Sequence, residues 1–423
     1  MRGFKYAILW RNNKTSVFLD GDLSHAEAQR RGENVGRKER IDRKAWTHVR
    51  LGDYATLLAG GTPSRSVSDY YGGSIPWCSI SDISGAGKFL IRTAESLTRL
   101  GIENSSAKLI PADAILFAMY ASIGECALAT TPLATSQAIL GIYNLKEFDR
   151  EYLYYYLCSQ KKVFINQGQT GTQSNLSKEI VSNIQVPKPS IKEQRRIANS
   201  LSSIDANIAT VQSLFSKYEA IKKATVNLLL EPGAGWQKIK FGDVCSSFEY
   251  GVGAPAMSFD GRNKYIRITD IDDNSHEFKP TPLSSPTFFD NNHVVRDGDI
   301  LLARTGASVG KSYLYRPIDG KLIFAGFLIR ASICTKIADP QFVFLQTLTS
   351  RYRQWVSEES MRSGQPGLNI NQYKDFELYL PELAEQRKIA AQISAIDNVL
   401  KDCRAQLAKA KSLKQGMMSY FFG

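Results

Sequence analysis

The sequence predicts an α+β protein in which two similar mixed α/β globules follow one another along the chain, each trailed by a long helix. Three observations predict it. An ordered set of motifs occurs twice, at an offset of roughly 190 residues. Within each copy the texture changes once, from turn-rich segments with short apolar runs to an uninterrupted amphipathic stripe, and proline stands at both changes. The two stripes share the same alternation of four and three.

The repeat is read directly from the residues. Trp46–Asp53 (WTHVRLGD) returns as Trp236–Asp243 (WQKIKFGD), and Ile80–Ile83 (ISDI) as Ile268–Ile271 (ITDI). Asp113–Ala118 (DAILFA) with Ser122–Gly124 (SIG) returns as Asp299–Arg304 (DILLAR) with Ser308–Gly310 (SVG). Glu193–Ala198 (EQRRIA) returns as Glu385–Ala390 (EQRKIA), and Ile204-Asp205 as Ile396-Asp397. The order is kept throughout. The period is far longer than the ~20–50 residues of a solenoid unit, so each copy is a domain with an appendage.

The elements follow in order. Residues 1–45 have no counterpart in the second copy; they read as a basic, poorly ordered extension that carries Arg30-Arg31 and Arg37-Lys38. Residues 46–188 form the first globule, rich in Gly, Ser, Thr and Tyr, with a twisted sheet and a helix at Tyr152–Phe164. Residues 189–232 form the first long helix. Residues 233–380 repeat the globule, with the helix at Phe342–Trp355, and 381–423 form the second long helix. The first stripe is Ile197, Leu201, Ile204, Ile208, Val211 and Phe215, reaching Tyr218. The second is Ile389, Ile393, Ile396, Leu400, Cys403, Leu407 and Ala410, prolonged by Leu413, Met417 and Phe421. Such a seam faces a partner helix, and about 40 residues at ~1.5 Å per residue make ~60 Å.

Composition narrows the function. The chain has 53 basic and 41 acidic side chains, a net charge of +12, but the first 50 residues hold 12 and 6 of them and so half of the surplus. The remainder is mildly basic, which is compatible with a polyanionic partner without demanding one. Apolar runs such as Ala114–Ala121 are too short to span a bilayer, and Tyr6–Trp10 is too short for a secretory apolar region, so a cytoplasmic protein is expected. Six cysteines without close spacing and four histidines give no metal-ligand pattern; buried reduced thiols are expected.

Catalytic motifs fail one by one. Gly306–Ser312 (GASVGKS) is one residue short of a phosphate-binding loop, and the first copy has Glu125 where the lysine stands. There is no methyltransferase cofactor loop with its Asn/Asp-Pro-Pro-aromatic segment, and no nucleophile elbow for a histidine to serve. The chain reads as a recognition protein.

The motifs resemble those of the DNA specificity subunit of type I restriction–modification systems. Gly60–Ser64 (GGTPS), Tyr71–Gly73 (YGG), Ile75–Trp77 (IPW), Ser105–Ile110 (SSAKLI), Ser174–Ser177 (SNLS), Ile184–Pro187 (IQVP) and Glu193–Arg195 are similar to one target recognition domain and its exit into the helix. Tyr250-Gly251, Tyr265–Ile268 (YIRI), Gly298–Leu301 (GDIL) and Arg304–Gly306 (RTG) are similar to another variety. The resemblance covers about 46–423. It implies two target recognition domains spaced by two antiparallel coiled-coil helices about a pseudo-twofold axis. It further implies a non-catalytic chain that reads a bipartite, asymmetric site on double-stranded DNA. Two copies of a modification (methyltransferase) subunit and a restriction (motor-nuclease) subunit are the implied protein partners, and no membrane is involved. No cofactor is expected in this chain; S-adenosylmethionine, ATP and Mg are expected on the partner subunits. The competing expectation is a tandem-domain scaffold that assembles proteins without reading DNA.

On that reading the DNA-contacting candidates are polar and loop-borne, because arginine suits guanine and Asn/Gln suit adenine. In the first copy they are Thr62, Ser64, Arg65, Tyr120, Gln167, Gln169, Thr170, Thr172, Gln173 and Ser174. In the second they are Lys264, Arg267, Arg304, Thr305, Ser308, Lys311, Arg362, Ser363, Gln365 and Asn369. Arg195, Arg196, Arg387 and Lys388, with Glu193-Gln194 and Glu385-Gln386, open the long helices either as end-capping groups or as contacts for partner subunits or the DNA backbone.

Overall fold

The computed structural model describes residues 7–11, 14–18, 43–168, 175–361 and 367–423. They fall into two units. The first comprises residues up to Val211 together with Gln406–Gly423, and the second comprises Gln212–Ala405. The long helices run Ile191–Leu229 and Leu383–Phe422, 39 and 40 residues. Each unit therefore owns one globule and a part of both helices.

In the first unit the main sheet has the order Thr56–Ala59, Ile139–Tyr143, Ile115–Ala118, Cys126–Ala129, Phe89–Leu90. All its pairings are antiparallel except the last. A four-stranded sheet (Glu95–Leu97, Tyr71–Cys78, Leu133–Thr135, Leu109–Ile110) lies beside it in the fold. Strands Thr47–Arg50 and Gln185–Lys188 pair antiparallel and clasp the two ends of the globule; a two-stranded ribbon tolerates Pro187, which has no N–H to donate. The helix expected at Tyr152–Phe164 is two helices, Arg150–Ser159 and Lys161–Gly168. The N–H of Gln160 turns back to Tyr156 and Leu157 carbonyls and ends the first of them. Within the segment that the sequence reads as a basic extension, Ala7–Arg11 and Lys14–Phe18 pair as an antiparallel hairpin.

The second unit repeats this plan. Its sheet runs Cys245–Tyr250, Leu328–Ile333, Asp299–Ala303, Ser312–Leu314, antiparallel throughout. Its clasp is Gln237–Lys240 with Glu377–Leu380. The expected helix at Phe342–Trp355 is again two, Pro340–Gln346 and Ser350–Ser360. Asp149 and Asp339 cap the matching first helices, accepting at 3.0 Å from the Tyr152 and Phe342 N–H groups. The Ser-x-Gly motifs are explained by Gly124 (φ +78°) and Gly310 (φ +83°), whose left-handed backbone disfavours any side chain. A Cβ on Gly310 would also stand 2.7 Å from Val356.

The stripes behave as seams inside each unit. In the first, Ile197, Leu201 and Ile204 share one buried core with Phe117, Tyr152, Met417 and Phe421; Ile208 and Leu413 pack on it, and Val211 is buried. Asp205 pairs with Lys414 at 2.6 Å. In the second, Ile389 and Ile393 share a core with Val226, Ile300 and Phe342; Leu400 is buried and Ile396 half-buried. There Lys222 pairs with Asp397 at 2.6 Å, and the Arg404 guanidinium stacks 5.3 Å from the Phe215 ring. Numbers rise on one helix as they fall on the other, so the two run antiparallel. Leu407 is half-buried in the first unit.

A polar knot adds to the apolar seam of the first unit. The Lys88 ammonium reaches Glu151 (2.8 Å), Ser202 (2.8 Å) and the Tyr155 hydroxyl (3.1 Å), and Tyr155 donates to Asp205 at 2.6 Å. Burial pushes the Glu151 carboxyl up, but Lys88 and Ser202 hold it below the usual carboxylate range. In the second unit His276 stands at the position of Lys88, and the same region is a cleft of about 700 Å³ lined by His276, Ser394, Asp397 and Lys222.

Candidate nucleic-acid interface

The same small construction occurs at one end of the central strand of each unit. In the first, the strand Ile115–Ala118 runs into Met119, whose N–H donates to Ala138 O (2.8 Å) and whose carbonyl accepts from Leu176 N–H (3.0 Å). In the second, Asp299–Ala303 runs into Arg304, whose N–H donates to Phe327 O (3.0 Å) and whose carbonyl accepts from Leu368 N–H (2.8 Å). Leu176 and Leu368 are buried plugs. Each pins the far end of its polar loop against the strand end. The structure thereby brings together segments that are distant in sequence: the Met119-Tyr120 strand end with Leu176 in the first unit, and Arg304 and Thr305 with Gly367, Leu368 and Asn369 in the second. Gln169, Thr170, Thr172, Gln173, Ser174, Arg362, Ser363 and Gln365 lie outside the described residues.

Residues 43–216 and 234–409 each match the type I restriction modification DNA specificity domain. The chain belongs to that family. Each matched segment ends within a long helix, so a specificity domain here is a globule plus the first part of its helix. Over 399 residues the chain is 23% identical to the type I restriction enzyme MjaVIII specificity subunit of Methanocaldococcus jannaschii, covering 88% of this chain and 91% of that one. It is 22% identical to the EcoprrI specificity subunit of Escherichia coli, covering 84% and 88%. Among solved structures, the type I restriction–modification S subunit of M. genitalium superposes with a TM-score of 0.58 at 16% identity, covering 92% and 98%. The fold is thus that of S subunits, and the role that accompanies the family is DNA specificity.

The two specificity domains present different side chains on this common frame. In the second, the Arg304 guanidinium stacks 4.7 Å from the Tyr250 ring, and its buried Nε–H meets no acceptor among the described residues. No carboxylate among the described residues pairs with Arg304 either. Tyr250 is exposed and accepts from Ile370 N–H at 3.4 Å, and Phe327 is 65% exposed. A guanidinium plane stacked on an exposed aromatic ring can contact phosphate, base edge or base face. Thr305 bridges to Gly367, and Asn369 caps Ile370–Asp375 by accepting from Gln372 N–H at 3.0 Å. In the first domain the place of Arg304 is taken by buried Met119, with half-buried Tyr120 next to it at the place of Thr305, and Gln167 is exposed on the last turn of its helix.

Other sequence candidates are engaged inside their own domains. Arg65 grips Glu95 with both terminal nitrogens (2.5 and 2.8 Å) and lies over Tyr71 and Trp77, so its pKa is raised by the Glu95 hydrogen bond. Ser64 shares a 2.8 Å hydrogen bond with Ser66, and Thr62 is half-buried. Arg267 holds buried Asp270 in the same two-pronged way (2.8 and 2.9 Å). Lys264 donates to Asp319 O at 2.6 Å. Lys311 donates to Ile271 O at 3.0 Å and pairs with Asp273, so the near-phosphate-loop lysine braces the 268–273 turn. Ser308 is half-buried and its carbonyl accepts from Lys311 N–H.

Sequence reasoning missed two kinds of group. Tyr250 and Phe327 are aromatic residues indistinguishable in sequence from core ones. Gln194 and Gln386, inside the EQR motifs, are buried clamps: Gln194 accepts from Asp149 N–H (2.8 Å) and donates to Glu147 and Pro189 carbonyls (3.1 and 3.0 Å). Gln386 accepts from Asp339 N–H and donates to Pro381 O, both at 2.9 Å. The signal was present, since the motif recurs where both copies change texture. Among the described residues no cluster of His, Cys, Asp or Glu could hold a metal ion, and no helix is long and apolar enough to cross a membrane.

Proposed function

We propose that the chain reads a bipartite, asymmetric DNA sequence, one part per specificity domain, and thereby directs adenine methylation or cleavage by partner subunits. One observation carries this reading: the two domains build the same strand-end and loop frame but equip it differently, Arg304 stacked on Tyr250 in one and Met119 followed by Tyr120 in the other. Two identical readers would select a palindrome, whereas two different ones select unlike half-sites. The long helices act as the ruler between the halves. The chain contributes recognition and no catalytic group. Two modification subunits and a restriction subunit supply chemistry, with S-adenosylmethionine, ATP and Mg²⁺ bound on them, in the cytoplasm.

The test uses the full chain assembled with its modification subunits. Binding to DNA carrying the methylated site should be specific and should fall steeply, by about 10³-fold or more, between roughly 50 and 200 mM salt. Exchange of residues 46–188 for another family member's domain should change one half-site only in the methylome. A shallow salt response without sequence preference would favour the scaffold instead.

A further inference from the structure

Two of the six cysteines meet in the first unit. Cys126 begins the strand Cys126–Ala129, and Cys158 lies in the last turn of the helix Arg150–Ser159 that packs on that sheet. Both side chains line one small cavity of about 230 Å³ with Gly124, Glu125 and Lys161. Lys161 and Glu125 are ion-paired at 2.9 Å at this cavity, and Lys161 is partly exposed. The cavity therefore gives a small polar solute a route to the sulfurs.

The two sulfurs differ in character. Burial pushes the Cys126 thiol up, so it stays protonated, and it donates to Gly124 O at 3.6 Å. Cys158 is drawn below the ordinary thiol value chiefly by its interaction with the Cys126 thiol, against its own burial, with the Tyr154 hydroxyl and the Lys414 charge helping. A protonated thiol beside a sulfur disposed to ionise, at one cavity, is the arrangement of a resolving and an attacking cysteine. The second unit has Ser312 and Leu348 at the matching positions, so the feature belongs to one specificity domain alone.

We propose that Cys126 and Cys158 form an oxidisable dithiol that a hydroperoxide converts into a disulfide within the first specificity domain. The Cys158 thiolate attacks the peroxide oxygen; the O–O bond breaks, and Cys158 becomes a sulfenic acid. The Cys126 sulfur then attacks that sulfur, the S–O bond breaks, and water leaves with the Cys126 proton. Overall two thiols and one hydrogen peroxide give one disulfide and two waters, two electrons passing from sulfur to oxygen.

The experiment treats the native full chain with hydrogen peroxide and maps its cysteines by mass spectrometry without reduction. The expected result is a peptide pair linked through Cys126 and Cys158, reversed by dithiothreitol, forming about tenfold faster than any change at Cys78, Cys245, Cys334 or Cys403. Cys126→Ser should stop the reaction at a sulfenic acid on Cys158 that dimedone traps, and Cys158→Ser should abolish the link. Cys245 and Cys334 provide a control within the same molecule, because they lie side by side across a strand pairing, Cys245 opposite Ile333 and Cys334 N–H bonded to Val244 O, and burial pushes the Cys245 thiol up. Oxidation of all six cysteines at similar rates, or a link that omits Cys126 or Cys158, would overturn the proposal. So would a wild-type chain in which both thiols stay reduced.

Discussion

Replacement of Gln194 by alanine tests whether the EQR motif serves the chain itself or a partner. The side chain is fully buried and makes three hydrogen bonds, to Asp149 N–H, Glu147 O and Pro189 O. Its loss strands one backbone donor and two acceptors where water does not reach. At about 1 kcal/mol for each bond the cost is roughly 3 kcal/mol. That corresponds to about a 100-fold increase in local opening. Asp149 caps the helix Arg150–Ser159, so the opening should register there. Hydrogen-exchange mass spectrometry of the full chain resolves the two units, which a single melting temperature does not. Peptides over 149–159 should exchange faster in Gln194→Ala while those over 339–346 are unchanged; Gln386→Ala should give the reverse pattern. Unaltered exchange in both, or equal acceleration of both units by either substitution, would refute the clamp.

Other consequences are as direct. Arg304→Ala should weaken DNA binding by the assembled complex roughly 5- to 30-fold, about 1–2 kcal/mol, with sequence preference relaxed in one half-site; unchanged affinity in a DNA titration would remove Arg304 from the interface. Burial holds the His276 imidazole below its ordinary value while its Nδ1–H donates to Ser312 O at 2.8 Å. The unfolded chain therefore takes up this proton first. The contribution of the neutral ring is complete above about pH 6.5 and is lost as pH falls from there toward the lower folded value. Denaturant unfolding at a series of pH values should show this loss in the wild type, and His276→Gln should lack that part of the slope. Insertion of seven residues between Tyr218 and Leu228, matched between Ala391 and Lys401 on the opposite helix, adds about 10 Å of helix, or about three base pairs. Methylome sequencing should then report a longer spacer with both half-sites unchanged.

The duplicated plan, the two long helices and the residues of their seam were legible in the sequence because they rest on periodicity and on order. A four–three stripe places Ile197, Leu201 and Ile204 on one face wherever the helix lies, and a repeat is visible without knowing what it folds into. The helix bounds differed from expectation by a few residues, while the single helices expected at Tyr152–Phe164 and Phe342–Trp355 proved double. Caps and carbonyl geometry decide such breaks, and apolar spacing does not show them. The candidate interface was legible only as loops. Whether an arginine is free depends on partners far along the chain: Arg65 finds Glu95 thirty residues away and Lys311 finds Asp273, whereas Arg304 finds an aromatic face and no carboxylate among the described residues. The proximity of Leu176 to Met119, of Leu368 to Arg304 and of Cys126 to Cys158 likewise comes from sheet register and helix packing. Sequence alone settles what repeats with a period; tertiary structure decides which charges, thiols and amides meet, because those meetings are long-range contacts that no local pattern encodes.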